Sequence, residues 1–227
     1  MTAAGRRELR RELVSRIPGS YAPWLHLLLE AMLCLAVLAG ALALVRDPRP
    51  WEVALVPAFL VAGNAIEWHL HRGLLHRHVR YFGAVYRAHA QHHRLFSGDD
   101  LTIHELRELR FVLLPTPVVL IACALALPVA IALRVAGEAN LAALWVASAA
   151  AYVLAYEWLH LCYHLPAESP LGRLAVIRAL RRHHALHHST RLMVTHNLSV
   201  TFPLWDWVRG TAYRPRHATP ATKAAAH

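Results

Sequence analysis

Four long apolar segments dominate the chain and restrict what it can fold into. Each is close to the ~20 residues that a helix needs to cross the hydrocarbon core of a bilayer, and a helix satisfies its own backbone hydrogen bonds in lipid. Short polar turns at residues 46–50 and 136–140 join the segments into two hairpins. The sequence therefore predicts an all-α integral membrane protein with four transmembrane helices, at about residues 24–45, 51–68, 111–135 and 141–161.

Basic residues are distributed unequally between the two ends of these helices. The N-terminal arm, the stretch 72–110 and the tail after residue 164 contain 5, 7 and 9 Lys and Arg residues, whereas the short turns and their flanks contain 3. Because cytoplasmic loops carry the excess of Lys and Arg, we predict that both termini and the middle loop are cytoplasmic. The net charge of +10 does not indicate a nucleic-acid partner, since no stacking-aromatic motif or zinc finger accompanies it.

We divide the chain into three parts. Residues 1–21 form a cytoplasmic arm in which residues 6–16 alternate charge with leucine, as in an amphipathic helix that lies on a membrane surface. Residues 22–211 form the membrane-embedded region, and residues 212–227 form a flexible tail.

Two local features refine this division. Pro115, Pro117 and Pro128 predict kinks in the third apolar segment, because proline removes a helical hydrogen bond. Asp99 and Asp100, followed by residues 102–105 (TIHE), are typical of a helix N-terminus with a capping box.

Histidine outnumbers the carboxylates, 18 to 14, in a chain that is 56% hydrophobic. Imidazole is a polar group and a metal ligand, so core packing does not explain this excess. The main clusters lie after the second apolar segment, in the middle loop, at the end of the fourth segment and in the tail. The predicted topology places all of them on one side, so we predict a cytoplasmic helical cap that carries a histidine-rich site for two metal ions.

The spacing within the clusters supports metal binding. His89, His92 and His93 are i, i+3 and i+4 and share one helix face, and residues 184, 187 and 188 repeat the pattern. His160 and His164 form an i, i+4 pair, whereas His71 and His76 are i, i+5, about 140° apart on a regular helix. The last pair converges only if the helix ends or distorts there, and Gly73 lies between its members.

These clusters contain ten imidazoles, which are too many for one ion and suit two ions of five or six coordination. A structural zinc site normally has four ligands, usually with cysteine among them. A bis-histidine haem requires single histidines that face each other inside the bilayer rather than tight HxxHH groups at its edge.

The motifs HRGLLH, HAQHH, HLCYH and HALHH, in this order around two membrane hairpins, resemble the membrane-bound fatty acid hydroxylase superfamily, which includes sterol desaturases. Residues 196–211 (HNLSVTFPLWDWVRGT) are similar to the HNFG-type segment of that family followed by PLWD and GT. The resemblance covers residues 52–212. Leu198 and Ser199 stand where Phe and Gly are usual.

The resemblance implies a dinuclear non-haem iron centre that uses O2 to hydroxylate a C–H bond of a lipid, either a fatty acyl chain or a sterol-like molecule. Zinc can fill the same imidazoles in a purified sample. Because the chain has no fused haem domain of the kind that some relatives carry, we expect a separate electron donor, a ferredoxin or a reductase. The implied metal ligands are His71, His76, His89, His92, His93, His160, His164, His184, His187 and His188.

Six further residues are candidates for supporting the ligands without binding the metal: Glu67, Glu157, His183, His196, Asn197 and Asp206. Glu67 is i, i+4 to His71, and Glu157 is i, i+3 to His160, so either carboxylate could accept the second N–H of a ligand ring. The alternative for both is a carboxylate at the interface with its charge in water. Asp206 either orients a ligand or closes a turn.

Two other functions remain open at this point. A desaturase or carotenoid hydroxylase of the same superfamily would share these motifs. A metal-binding or metal-transporting membrane protein would need ionisable residues along a pathway through the membrane, and the halves of the helices remote from the histidines have almost none.

Overall fold

The computed structural model describes residues 3–98 and 100–214, in which the regular structure is helical and no β-strand occurs. A π-helical turn covers His71–Leu75, and short 3₁₀ turns cover Arg80–Phe82 and Leu106–Glu108. The α-helices are α1 (Ala3–Ser15), α2 (Pro23–Ala43), α3 (Pro50–Ala54), α4 (Val56–Leu70), α5 (Gly83–Leu95), α6 (Leu109–Val112), α7 (Thr116–Ala124), α8 (Leu127–Val135), α9 (Ala139–His164), α10 (Ala175–His187) and α11 (Leu204–Arg209).

Four helical stretches are long and apolar enough to cross a membrane: Pro23–Ala43, Pro50–Leu75, Leu106–Val135 and Ala139–His164. Large apolar side chains such as Trp24, Leu28 and Ile131 are exposed on their outer surfaces, which suits contact with lipid. The prediction of an all-α protein with four membrane-crossing helices is therefore confirmed. The division into an arm, an embedded region and a tail stays a prediction, and residues 215–227 of the tail lie outside the described residues.

Helix α9 lies at the centre of the bundle and contacts α2, α4, α8 and α10. Small residues on α9, including Ala147 and Ala150, are buried and allow the neighbouring helices to approach closely. Gly63 on α4 marks one such close approach, since a Cβ atom there would lie 2.8 Å from the ring of Tyr152 on α9. This contact aligns the ends of α4 and α9, which carry histidines.

Prolines divide the third apolar segment, as its sequence predicts. Pro115 is extended at the start of α7, and Leu113 before it is extended as well. Pro128 lies in the first turn of α8, after a break between Ala124 and Leu127. The break at residues 113–115 opens the helix close to the histidines.

The N-terminal arm packs against the protein. On its helix α1, Leu13 is buried in a cluster with Leu95 and Phe96, and Arg10 forms ion pairs with Glu108 at 2.5 Å and Asp100 at 3.2 Å. The interpretation of its apolar face as a membrane contact is wrong for Leu13, because protein already covers that side chain.

The predicted capping box at residues 102–105 is also wrong. Helical structure begins at Leu106, and the side chain of Glu105 caps no backbone N–H. Asp100 is paired with Arg10, while Asp99 lies outside the described residues. The ion pair accounts for an acidic residue that the sequence pattern assigned to a cap.

Candidate metal centre

Four elements bring the ten candidate histidines to one end of the bundle: the π-helical turn after α4, helix α5, the end of α9 and helix α10. We call α5, α10 and α11 the helical cap. Eight of the ten imidazoles are buried, and those of His76 and His89 are half-buried. The cap therefore encloses a polar cluster against the apolar helices.

The π-helical turn brings His71 and His76 together. The backbone N–H of His76 donates to the carbonyl of His71 at 3.2 Å, an i to i+5 hydrogen bond that places the two residues one turn apart. Their Nε2 atoms are 3.2 Å apart. The helix distortion that the i, i+5 spacing requires is thus present.

The first group of ligand candidates contains five imidazoles whose ligand atoms all lie within 4.8 Å of one another. Nε2 of His89 lies 3.0 Å from Nε2 of His71, 3.1 Å from that of His76 and 3.0 Å from that of His93. Nε2 of His187 lies 3.2 Å from those of His76 and His93. Five nitrogen atoms therefore surround one point.

The second group contains His92, His164, His184 and His188, again with ligand atoms within 4.8 Å of one another. Nε2 of His188 lies 3.1 Å from that of His92 and 2.9 Å from that of His184, which is 3.2 Å from that of His164. His160 lies at the edge of this group, with its Nε2 atom 3.3 Å from that of His92. Stacked rings of His93 and His188, with centroids 4.3 Å apart, join the two groups.

Helices α5 and α10 of the cap each contribute to both groups in the same way. In residues 89, 92 and 93, the first and last belong to the first group and the middle one to the second; in residues 184, 187 and 188, the first and last belong to the second group and the middle one to the first. Residues i and i+4 are about 40° apart on a helix, whereas i+3 points about 60° to the other side of i. The HxxHH spacing therefore lets one helix supply two adjacent metal sites.

Backbone carbonyls hold the second nitrogen of several rings. A carbonyl oxygen only accepts hydrogen bonds, so the Nδ1 atom that contacts it carries the proton, and Nε2 of the neutral ring keeps a lone pair. This fixes five rings, in which Nδ1 donates to the carbonyl oxygen as follows: His71 to Leu198 at 2.5 Å, His92 to Phe111 at 2.9 Å, His164 to Leu101 at 2.6 Å, His187 to His196 at 3.3 Å and His188 to Phe96 at 2.5 Å.

The fixed rings favour binding of a cation. His92 and His188 both present lone pairs, and their Nε2 atoms are 3.1 Å apart, so the two atoms repel unless positive charge lies between them. Ligands about 2.1 Å from a metal and at right angles to each other are about 3.0 Å apart, and neighbouring Nε2 atoms within both groups are separated by 2.9–3.3 Å. No carboxylate belongs to either group among the described residues. The two groups thus fit metal ions held by imidazole alone.

Burial keeps the cap imidazoles neutral. Loss of water around the rings lowers the pKa of His76 and of His92 to about 4. Burial, followed by the neighbouring imidazoles, holds the pKa of His89, His93, His184, His187 and His188 well below the usual value. At neutral pH these rings are ready to bind a metal without first losing a proton.

Asp206 supports the centre through the loop at residues 197–201. Its carboxylate is buried and accepts hydrogen bonds from the backbone N–H groups of Leu198 at 3.0 Å and Ser199 at 2.9 Å, from Trp68 Nε1 at 3.1 Å and from His183 Nε2 at 3.1 Å. Burial alone would raise the pKa of Asp206, but the hydrogen bonds from His183, Thr211, Ser199 and Leu198 lower it. The carboxylate thus fixes the loop whose Leu198 carbonyl orients His71, and it touches His183 rather than a ligand candidate.

The other residues of the HN segment hold the same loop. Asn197 has a left-handed backbone, with φ of 54°, and its side chain accepts from the Tyr213 N–H at 2.7 Å and donates to the His183 carbonyl at 2.9 Å. His196 contributes its carbonyl to His187, while its ring lies beside Tyr213. The backbone of His196 therefore matters to the centre more directly than its imidazole.

Glu67 also contacts this loop instead of a ligand ring. Its carboxylate accepts hydrogen bonds from the hydroxyls of Tyr152 and Thr201 and from the backbone N–H groups of Val200 and Thr201. Asn64 donates to Tyr152, at 3.1 Å, and accepts from the Trp205 N–H, at 2.8 Å. Sequence reasoning missed Asn64, Tyr152 and Thr201, which become recognisable only when α4, α9 and the loop meet.

Glu157 is buried and accepts a hydrogen bond from the Leu114 N–H at 3.1 Å, at the break before α7. On α2, Glu30 is buried as well, and its Oε1 atom lies 2.8 Å from Nε2 of His26. Neither of the two earlier interpretations of Glu157, a ligand partner or a carboxylate in water, describes these contacts. The carboxylate of Glu157 instead accepts a hydrogen bond from a backbone N–H group at the helix break that precedes α7.

A cavity of about 470 Å³ extends to both histidine groups. It reaches His89 of the first group and His92 and His160 at the second, and its walls come from the arm, α5, the break before α7 and α9. Apolar side chains predominate, among them Leu13, Ala84, Ala88, Val112 and Val118. A cavity of this size and character suits a small apolar ligand.

The fold and the site together define a membrane protein of the hydroxylase and desaturase type, with histidine groups that could hold metal ions. Residues 56–211 match the model of the fatty acid hydroxylase family, and the chain belongs to that family. The resemblance drawn from the histidine motifs is thereby confirmed, and family membership indicates an oxidoreductase-type enzyme. No curated protein and no solved structure gave a significant match.

Proposed function

We propose that the protein is a membrane oxygenase that hydroxylates a C–H bond of a lipid. The observation that carries this proposal is the pair of adjacent all-imidazole groups at the inner end of an apolar cavity. Two iron ions bound there would supply the activation of O2, one atom of which enters the product while the other leaves as water, with two electrons and two protons consumed.

The ten histidines divide between the ions as the contacts group them. Five would hold the first ion, and His92, His164, His184 and His188, with His160 at the edge, would hold the second. Asp206 and Glu67 would keep the 197–201 loop in place, so that Leu198 orients His71. Their role is positioning, which is the role that hydrogen-bonded neighbours of metal ligands usually have.

The lipid would reach the centre through the cavity that opens at the break before α7. Its apolar walls would keep water away from the reacting C–H bond. We place the centre at the cytoplasmic side, on the strength of the Lys and Arg distribution. Electrons would then come from a separate cytoplasmic donor, a ferredoxin or a reductase.

The test is to express wild-type protein, His188→Ala and His69→Ala in a lipid-rich host supplied with iron, and to compare lipid mass spectra. His69 is exposed and two residues from His71, so its variant is the matched control. We expect a lipid heavier by one oxygen with wild type and His69→Ala and none with His188→Ala. Loss of two hydrogens would assign desaturation instead, and no change despite bound iron and a competent donor would refute an oxygenase.

A further inference from the structure

Two arginines line the cavity, and only one of them is paired with a carboxylate among the described residues. Arg110 and Arg16 line it, and among its lining residues, all within the described part of the chain, there is no Asp or Glu. Arg16 is paired with Glu12 at 2.5 Å. Arg110 takes part in none of the ion pairs between described residues, and its charge acts on the hydroxyl of Tyr21.

Helix α6 presents Arg110 on its exposed side, next in sequence to a residue that contacts a histidine. Leu109 and Val112 are buried, whereas Arg110 between them is exposed. The next residue, Phe111, accepts the hydrogen bond from Nδ1 of His92 at 2.9 Å. The backbone of Arg110 is therefore one residue away from the carbonyl that holds the His92 ring, which lines the cavity.

Part of the cavity wall comes from the N-terminal arm. Ile17 and Pro18 line the cavity, and their carbonyls accept hydrogen bonds from Arg107 at 2.9 and 3.0 Å. The arm lies outside residues 56–211, which match the family. Arg16, Ile17 and Pro18 therefore lie outside the residues that match the family.

We propose that the cavity binds a single-chain amphiphile with an anionic oxygen headgroup, carboxylate or phosphate, at Arg110. The chain lies along the apolar walls toward His89, His92 and His160. Arg110 supplies the charge and hydrogen bonds for which guanidinium is suited, and Arg16 contributes less because Glu12 already pairs with it. The proposal rests on the proposed function, in that the occupant is the lipid to be oxidised, and it names the class of that lipid.

The test measures binding to metal-free protein in nanodiscs of zwitterionic lipid, by displacement of a fluorescent fatty acid. The competitors share one saturated chain and end in carboxylate, phosphate, alcohol or quaternary ammonium. We expect the two anions to bind about tenfold more tightly than the alcohol, as one charge-assisted interaction would give. Equal affinity for the anions and the alcohol would overturn the proposal.

Three variants assign the preference to Arg110. Arg110→Gln should remove it, Arg110→Glu should transfer it to the quaternary ammonium competitor, and Arg94→Gln should leave it unchanged. Arg94 is exposed on α5 and does not line the cavity, so it is the matched control. Retention of the anion preference in Arg110→Gln would assign the binding to another group and contradict the proposal.

Nanodiscs that contain anionic phospholipid distinguish the two sources of such a headgroup. Displacement of the probe by the anionic bilayer itself would mean that Arg110 binds bulk membrane headgroups, which overturns a cavity ligand. Binding is measured without metal, so it is separate from the proposed function. Oxygenase activity without the anion preference refutes this inference alone, whereas the preference without any oxidised product refutes the proposed function alone.

Discussion

Asp206 shows how a residue that binds no metal can still determine the geometry of the centre. Its two oxygens receive hydrogen bonds from backbone and side chains that lie on α4, α10 and the 197–201 loop. The loop in turn presents the Leu198 carbonyl to His71. A change at Asp206 therefore reaches the ligand through two successive contacts, from Asp206 to Leu198 and from Leu198 to His71.

We predict that Asp206→Asn weakens both folding and metal binding. The side-chain amide of asparagine would place an N–H donor where a carboxylate oxygen of Asp206 accepts hydrogen bonds, so donors would face donors. We expect a loss of about 2–4 kcal/mol of stability and a metal affinity about 10–100-fold lower. Thermal unfolding in detergent and chelator competition measure the two effects. Asp100→Asn, whose partner is Arg10 at the arm, is the control for metal affinity; wild-type metal affinity in Asp206→Asn would contradict the positioning role.

At the scale of the element, α5 and α10 each supply two histidines to one group and the middle histidine of the HxxHH motif to the other group. With one ion proposed for each group, we predict that His187→Ala lowers the metal content from two ions per chain to one. Adding His71→Ala, in the same group, should cost no further ion, whereas adding His184→Ala, in the other group, should remove the second. Metal analysis of the purified variants decides this, and equal losses in both double variants would disprove the division.

The two glycines on the second membrane-crossing stretch should respond oppositely to alanine. A Cβ at Gly73 meets nothing within 4 Å, so Gly73→Ala should keep full metal content and gain up to about 1 kcal/mol of stability, because alanine is the better helix former. A Cβ at Gly63 would lie 2.8 Å from Tyr152, so Gly63→Ala should cost about 1–3 kcal/mol by overpacking. Thermal unfolding of the pair measures both, and a strongly destabilised Gly73→Ala would show that the π-helical turn needs glycine.

Regular spacing made most elements predictable. Apolar length identifies the four crossings, and the i, i+5 spacing of His71 and His76 requires the distortion that the π-helical turn provides. The carbonyls of Phe96, Leu101 and Leu198 were not predictable, because every residue has a carbonyl and only the tertiary fold selects one. The packing of α1 was missed for a different reason, since the apolar face of an amphipathic helix suits protein and membrane equally.

For the whole molecule, buried neutral histidines predict acid sensitivity of the metal-free protein. Burial lowers the pKa of His76 and His92 to about 4, whereas an unfolded chain titrates near 6.5. Below about pH 6.5 the unfolded state binds more protons, so the free energy of unfolding should fall as the pH falls toward 4 and stay level above 6.5. Unfolding of chelator-treated protein across this range tests the sign, and a stability that rises on acidification would contradict it.

Both histidine groups contain residues from α5 and from α10, which has a consequence for biosynthesis. The first hairpin and α5 carry four members of the first group, but the fifth, His187, lies on α10 near the end of the described chain. The second group likewise needs His92 from the earlier half. Neither site is complete while a ribosome has produced only one hairpin, so any metal ions would be bound only after α10 has been synthesised.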